Sequence, residues 1–392
     1  MLTPSQTALI TATVPLLEAH GETLTRHFYQ TLFTDFPQVL PLFNQSNQNG
    51  GTQQRALASA VLCYARHIES LDKLGPLVAT IVNKHVSLQI LPEHYPLVGA
   101  SLLKAIREVL GAETATDAVI DAWAAAYGQL ADILIGAERT AYAAQAAAPG
   151  GWLGTRAFTL ARKTVESAEI TSFVLRPVDG APVMDFQPGQ YIGVRLDIDG
   201  KEHKRQYSLS AASDLESYRI SVKREAGGIV SNHLHDAVHV GDTIDLYAPS
   251  GAFTLQPGEK PLVLISGGVG ITPTLAMLTA ALRANRQVVF IHAARNGKVH
   301  AFRDHIDTLA AQYPQLQRHY CYAEHDGEGA APHAVGLLDQ QLLAQWLPTP
   351  DVDAYFLGPT AFMRSVKTSL QALGVPPAQA RYEFFGPAEA LL

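Results

Sequence analysis

Cysteine is almost absent from this 392-residue chain. Its two, Cys63 and Cys321, lie far apart and form neither a disulfide framework nor a zinc motif. A basic excess is missing as well. The formal net charge of −7 carries no polyanion-binding signature, so nucleic acid is not an expected partner. No run reaches the roughly 18 uninterrupted apolar residues of a membrane helix. Met1-Leu2-Thr3-Pro4-Ser5-Gln6 does not begin a basic segment followed by an apolar one. A soluble, cytoplasmic protein with no integral membrane segment is expected, acting as a monomer. What the chain does contain is ordinary globular composition, 47% hydrophobic and 17% charged, which excludes wholesale disorder. Its length exceeds one ordinary core, so two or three domains are expected.

The hydrophobic period divides the chain. Helical segments are predicted near 4–20, 22–34, 53–68, 76–90, 94–110 and 115–144. Gly21, Pro37, Pro41, Gly50-Gly51, Gly75-Pro76, Pro92 and Gly111 separate them as breakers. An alanine-rich helix end runs into Pro149-Gly150-Gly151, the clearest boundary in the sequence. Beyond it the period falls to two, predicting strands at Phe158–Val165, Ile170–Pro177, Tyr191–Ile198, Arg205–Ser210, Tyr218–Arg224 and Thr243–Ala248. Six short strands at this spacing suggest a small antiparallel β-barrel. After Pro257-Gly258, apolar runs at Leu262–Ile265, Val288–His292, Arg318–Tyr322 and Ala354–Leu357 alternate with helices near 273–284, 302–312, 338–346 and 360–373. That alternation predicts an α/β doubly wound parallel sheet. The expectation is a multidomain protein: an all-α domain at 1–148, a barrel at 152–256 and the parallel sheet at 257–392.

Two glycine-rich turns and one strand carry the chemistry of the second half. Gly268-Val269-Gly270-Ile271-Thr272-Pro273 follows the first parallel strand and opens a helix, where backbone can approach a pyrophosphate. Such strand-to-helix turns are common, so alone this one is only suggestive. Arg205-Gln206-Tyr207-Ser208 would place Arg205 and Tyr207 on one strand face and Gln206 and Ser208 on the other. An arginine can clamp a pyrophosphate, a tyrosine can lie on an isoalloxazine and a serine can reach a ring nitrogen; a solvated edge strand would read the same way. Gly227-Gly228-Ile229-Val230-Ser231-Asn232 opens a second helix, Val230–Asp236, suited to phosphate. Arg295 and Lys298 follow the second sheet strand, where they meet a 2′-phosphate or only solvent.

In the first half, His85 ends Leu77-Val78-Ala79-Thr80-Ile81-Val82-Asn83-Lys84-His85. Helical spacing puts Val78, Ile81, Val82 and His85 on one face. An imidazole aimed into an apolar crevice needs a partner: a haem iron is one, a hydrogen-bonded core position the other. No Cys-x-x-Cys-His occurs, so a haem would be held by coordination and packing alone.

Barrel, arginine strand, glycine-opened helix and nucleotide fold in this order, over about 155–392, resemble the ferredoxin-reductase family. That resemblance implies FAD on the barrel and a nicotinamide nucleotide on the sheet. Tyr382-Glu383-Phe384-Phe385-Gly386-Pro387 would then bring an aromatic over the flavin. Tyr29, Phe43, Gln53, Leu57, His85, Tyr95, Trp123 and Glu138 stand in the order and spacing of a bacterial globin. A globin fused to such a reductase resembles one family, the flavohaemoglobins, across essentially the whole chain. Ser46-Asn47-Gln48, Lys84-His85, Gly189-Gln190-Tyr191, Arg205-Gln206-Tyr207-Ser208, Val222-Lys223-Arg224-Glu225 and Phe385-Gly386-Pro387 are closely similar to it.

The resemblance implies haem b ligated by His85, with Lys84 beside it and Phe43 and Leu57 against the haem. Tyr29 and Gln53 would hydrogen-bond iron-bound O2, and Tyr95 and Glu138 would bond behind the ligand. FAD would fall to Tyr191, Arg205, Gln206, Tyr207, Ser208, Gly228, Val230, Ser231, Glu383, Phe384, Phe385, Gly386 and Pro387. NADH or NADPH, which the sequence leaves open, would fall to Gly268, Val269, Gly270, Ile271, Thr272 and Pro273. A carboxylate and a phenol on the proximal imidazole raise its donor strength, which favours oxygen activation over storage. The implied activity is a nitric oxide dioxygenase: NAD(P)H reduces FAD, FAD passes electrons to haem, and O2 bound at ferrous haem oxidises NO to nitrate, giving NO detoxification. Two alternatives stay open. One is a haem-assisted reductase of lipid hydroperoxides or quinones, with an apolar ligand in the pocket around Phe43 and Leu57. The other is a non-enzymatic oxygen carrier or sensor. The chain also departs from the family: Leu357 and Phe384 stand where cysteines are usual, and His233 where a tryptophan occurs. The two cysteine replacements put hydride-transfer rate and cofactor preference in question.

Overall fold

The computed structural model describes residues 2–43, 52–327 and 329–385, with the backbone alone for 52–56. The chain separates into two compact units, one up to Ala147 and one from Ala148 to Phe385.

The first unit is helical: α1 (Pro4–Asp35), α2 (Thr52–Arg66), α3 (Gly75–Leu88), α4 (His94–Leu110) and α5 (Asp117–Ala147). A reciprocal capping box between Thr3 and Gln6, with Pro4 just inside, starts α1. The expected break at Gly21 does not occur, and α1 runs through both Pro15 and Gly21. A Cβ built at Gly21 would meet the Cβ of Ala58 at an ordinary 3.5 Å, so this position faces α2 from within the helix. Ile10, Phe28, Leu32, Ile106, Trp123 and Ala126 form the centre of the core. The Trp123 indole donates to Thr13 Oγ1 at 3.2 Å, which satisfies its one buried donor. By length and composition α5 could cross a membrane. Here its apolar stripe, from Val119 through Trp123 and Ala126 to Leu134, is buried inside the unit.

The second unit holds two sheets. Strands β1 (Arg156–Val165), β2 (Ile170–Pro177), β3 (Tyr191–Ile198), β4 (Lys201–Ser208), β5 (Tyr218–Lys223) and β6 (Thr243–Leu246) are antiparallel, in the order β4-β3-β6-β1-β2-β5. A bridge between Leu209 and Ile220 and a bond from Ser210 N to Arg219 O at 2.8 Å join the two edges and close the barrel. Asp199 (φ 55°) and Gly200 (φ 73°) make the tight β3–β4 hairpin, a turn needing two left-handed residues. Short helix α6 (Ile229–Asp236) follows β5.

The second sheet is parallel. Its strands are β7 (Leu262–Gly267), β8 (Val288–Ala294), β9 (Leu316–Tyr322), β10 (Ala334–Val335), β11 (Asp353–Leu357) and β12 (Ala380–Tyr382), in the order β10-β9-β8-β7-β11-β12. Helices α7 (Ile271–Arg283), α8 (Arg303–Gln312), α9 (Gln340–Trp346) and α10 (Thr360–Ala372) connect them. β10 and β12, of two and three residues, were not among the predicted strands, because segments this short carry no period. The strand order reverses between β7 and β11, and the carboxyl ends of those strands form the crevice in which such sheets bind ligands.

Candidate haem and flavin–nucleotide sites

Three helices converge on His85. Val82 is buried beside it on α3, with Val78 and Ile81 partly buried in the same cluster as Tyr95 and Leu134. The imidazole Nδ1 lies 2.6 Å from Glu138 Oε1 and 3.1 Å from the Tyr95 hydroxyl. Tyr95 in turn donates to the same Glu138 oxygen at 2.5 Å. Glu138 is only 2% exposed, so the arginine next to it in sequence does not draw it to the surface. Burial first, then the Glu138 hydrogen bond and charge, push the Tyr95 phenol far above its ordinary range and keep it a donor. Tyr127 closes the cluster by donating to the Tyr95 carbonyl at 2.7 Å. Left-handed Gln89 ends α3, and Ile90 N returns to the His85 carbonyl at 3.0 Å.

A carboxylate can only accept, so Nδ1 carries the proton and Nε2 presents its lone pair. The His85 side chain is 30% exposed, which leaves that nitrogen accessible to a metal. Among the described residues no group of three or more histidine, cysteine, aspartate or glutamate side chains could hold a metal by protein ligands alone. One imidazole with a tied back nitrogen would suit an iron whose remaining protein-independent ligands a porphyrin supplies. Tyr29, 6% exposed, packs its ring edge-on to Phe43 at 5.7 Å, with Phe33 against both. Leu57 joins the same apolar cluster. Lys84 precedes His85 on α3. The Gln53 side chain lies outside the described residues.

On the barrel, antiparallel register places Tyr191 opposite Ser208, Gly193 opposite Gln206 and Val194 opposite Arg205. Arg205 is half-buried, and among the described residues no carboxylate pairs with it; its Nη1 donates to the Lys204 carbonyl at 2.7 Å. Burial lowers its pKa, the mark of a guanidinium lacking a counter-charge, and a pyrophosphate would supply one. Burial also pushes the Tyr207 phenol well up. The first turn of α6 has no side-chain cap beyond Gly228, which leaves backbone N–H groups for an anion. A Cβ at Gly228 would lie 2.5 Å from Ser231 Oγ, so a larger residue there would displace that hydroxyl. The Val230 side chain is in the barrel core, and only its backbone can serve a ligand.

At the crevice, Gly268 takes φ +55° and a Cβ there would meet nothing within 4 Å: the loop is open on that side. Gly270 comes so close to β11 that a Cβ would lie 2.5 Å from the Leu357 carbonyl oxygen. Ile271 and Leu357 share the core beneath the loop, with Val269 packed against it. Thr272 donates to the Val269 carbonyl at 3.0 Å, and Pro273 is buried in the first turn of α7. Leu357, at the carboxyl end of β11, is buried in that core cluster. Glu383 is half-buried, Phe384 meets Tyr382 edge-on and Phe385 is 54% exposed; Gly386 and Pro387 lie outside the described residues.

Several contributors carried no sequence signal. Lys163 on β1 donates to the carbonyls of Leu234 (3.0 Å), His235 (2.7 Å) and Val238 (2.7 Å) at the end of α6. His292 bonds Ser266, the residue before the glycine loop, at 2.8 Å. Both depend on contacts between distant segments.

An imidazole tied from behind, an antiparallel barrel and a glycine-lined crevice on a doubly wound sheet are the parts of a redox protein in which a haem-type domain is joined to its own reductase. Family models agree. A globin model matches residues 26–134, an oxidoreductase FAD-binding domain 157–255 and an oxidoreductase NAD-binding domain 264–368. The flavohemoproteins of Pseudomonas putida and Pseudomonas aeruginosa are 65% and 62% identical over 392 residues, covering 100% of both chains. The crystal structure of a flavohemoglobin from Malassezia yamatoensis with bound FAD and heme superposes with a TM-score of 0.86 at 27% identity, covering 98% of this chain and 100% of that one. The FAD/NAD-binding domain of a nitric oxide dioxygenase from Vibrio cholerae is 44% identical, with a TM-score of 0.56, covering 59% of this chain and 99% of that one. The chain belongs to the flavohemoprotein family, and it is an oxidoreductase with FAD- and NAD-binding domains.

Proposed function

We propose that this protein is a nitric oxide dioxygenase using haem b, FAD and NADH or NADPH. The groups supply hydride acceptance, electron splitting and oxygen chemistry, so that each NO takes up O2 and one electron to become nitrate. The observation that carries the reading is the buried Glu138–Tyr95 pair on His85 Nδ1, in a chain that brings its own reductase domains. The pair fixes the tautomer and the ring plane, and its negative charge strengthens the imidazole as a donor. Tyr29 would donate to O2, its aromatic neighbours limiting its motion. Arg205 and the α6 N-terminus would hold the FAD pyrophosphate, and the Gly268–Gly270 turn the nucleotide.

Anaerobic stopped-flow with NADH should show flavin bleaching before the Soret shift. In air, NO should be consumed with one nitrate formed per electron. His85→Ala should purify haem-poor with FAD retained, and should lose NO consumption. Absence of nitrate, or faster turnover with a fatty-acyl hydroperoxide than with NO, would replace this reading by a peroxide reductase. A haem that neither NADH nor NADPH reduces would leave an oxygen carrier or sensor.

A further inference from the structure

Arg295 emerges from the end of β8 on the sheet edge that carries the glycine loop. In the parallel β7–β8 pair Gly267 lies opposite Ala293, so Arg295 stands two residues beyond that level. In doubly wound sheets this edge meets the adenosine ribose: an acidic group there recognises a 2′-hydroxyl and an arginine a 2′-phosphate. Arg295 is engaged, however. Its Nη2 is bonded to Oε1 of Glu169, which belongs to the β1–β2 turn of the barrel. The same turn is fastened to the loop by Ala168 N donating to the Lys298 carbonyl at 2.9 Å. Lys298 lies 3.5 Å from Asp326. Glu324 accepts from Asn296 Nδ2 at 2.9 Å, which fixes the amide orientation. The Asn296 Oδ1 is then a buried acceptor without a partner among the described residues.

We propose that Glu169 selects NADH over NADPH by holding Arg295 away from a 2′-phosphate. The proposal rests on the NAD-binding reading of 264–368. A 2′-phosphate carries close to two negative charges at neutral pH and only accepts hydrogen bonds. At this rim it meets Glu169, Glu324 and Asp326, with both nearby cations, Arg295 and Lys298, already paired to carboxylates. A 2′-hydroxyl brings no charge and can donate, which suits a rim lined by carboxylates.

The test uses the full-length protein, with ferricyanide as acceptor and NADH or NADPH as donor, at low salt. Wild type should prefer NADH. Glu169→Gln should raise the NADPH-to-NADH ratio of kcat/KM roughly fivefold, mainly through the KM for NADPH, the factor an exposed ion pair can supply. Adding Arg295→Gln should abolish that gain, and high salt should shrink it, which a purely structural role of Glu169 would not produce. A wild type that prefers NADPH, or a ratio unmoved by Glu169→Gln, overturns the proposal. If neither nucleotide reduces the flavin, the proposal falls together with the NAD-binding reading, an outcome distinct from the other two.

Discussion

One carboxylate oxygen of Glu138 accepts from the Tyr95 phenol at 2.5 Å while standing 2.6 Å from His85 Nδ1. The donors come from α4 and α3 and the carboxylate from α5, so the ring plane of His85 is set by tertiary packing and not by its own helix. A buried carboxylate is costly unless it is bonded, and here two donors on one oxygen offset that cost.

Glu138→Gln keeps shape and removes the charge. In the haem-loaded protein the iron–histidine stretching frequency should fall, the haem potential should rise and NO turnover should slow, while NADH reduces the flavin at a near-normal rate. Resonance Raman and redox titration decide the matter; an unmoved frequency and potential would confine Glu138 to a packing role.

Lys163 caps α6 from its far end, and the α6 N-terminus is the proposed phosphate site. Lys163→Met preserves the stem and leaves three carbonyls short of a charged donor. The variant should lose about 2 kcal/mol of stability. It should also release FAD on gel filtration more readily than wild type. Unchanged flavin retention with lowered stability would separate the cap from the flavin site.

Burial lowers the His292 pKa to about 3, and the half-buried His319 moves in the same direction. The unfolded chain binds a proton at each near the ordinary 6.5 and the folded one does not, so unfolding takes up protons between the two values. Stability is complete above that ordinary value and falls as pH drops toward 3, by about 1.4 kcal/mol per pH unit for His292. Urea midpoints at about pH 7 and about pH 5 should differ, and His292→Gln should reduce the difference. Equal slopes for variant and wild type would mean that other groups govern the acid response.

Arg286 is buried against Asp353 at 2.5 Å, and Arg381 meets the second carboxylate oxygen at 2.8 Å. Asp353→Ala strands a buried guanidinium and should cost about 3–5 kcal/mol. Thermal unfolding of the second unit would show it; a loss below about 1 kcal/mol would mean that Arg286 is satisfied by the Lys260 carbonyl, to which its Nε already donates.

Much of this was legible in the chain. Period-two runs located five of six barrel strands closely, and the apolar face of 76–90 placed His85 toward the core, because both are local patterns repeated over many residues. Local rules failed where a neighbour overrode them. Gly21 reads as a breaker, yet it lies inside α1 on the side facing Ala58. The partnership of Lys163 with α6, and of Glu169 with Arg295, joins segments about 70 and 126 residues apart, and no spacing rule reaches so far.

The β1–β2 turn, held to the Lys298 carbonyl through Ala168, constrains how such modules can be exchanged. A recombinant that kept this barrel and took its nucleotide sheet from another reductase would inherit Glu169 with no Arg295 to face, and a loop shaped for a different turn. The unit of inheritance for nucleotide preference is thus larger than the sheet that binds the nucleotide, and grafting it would require moving the turn at 166–169 along with it.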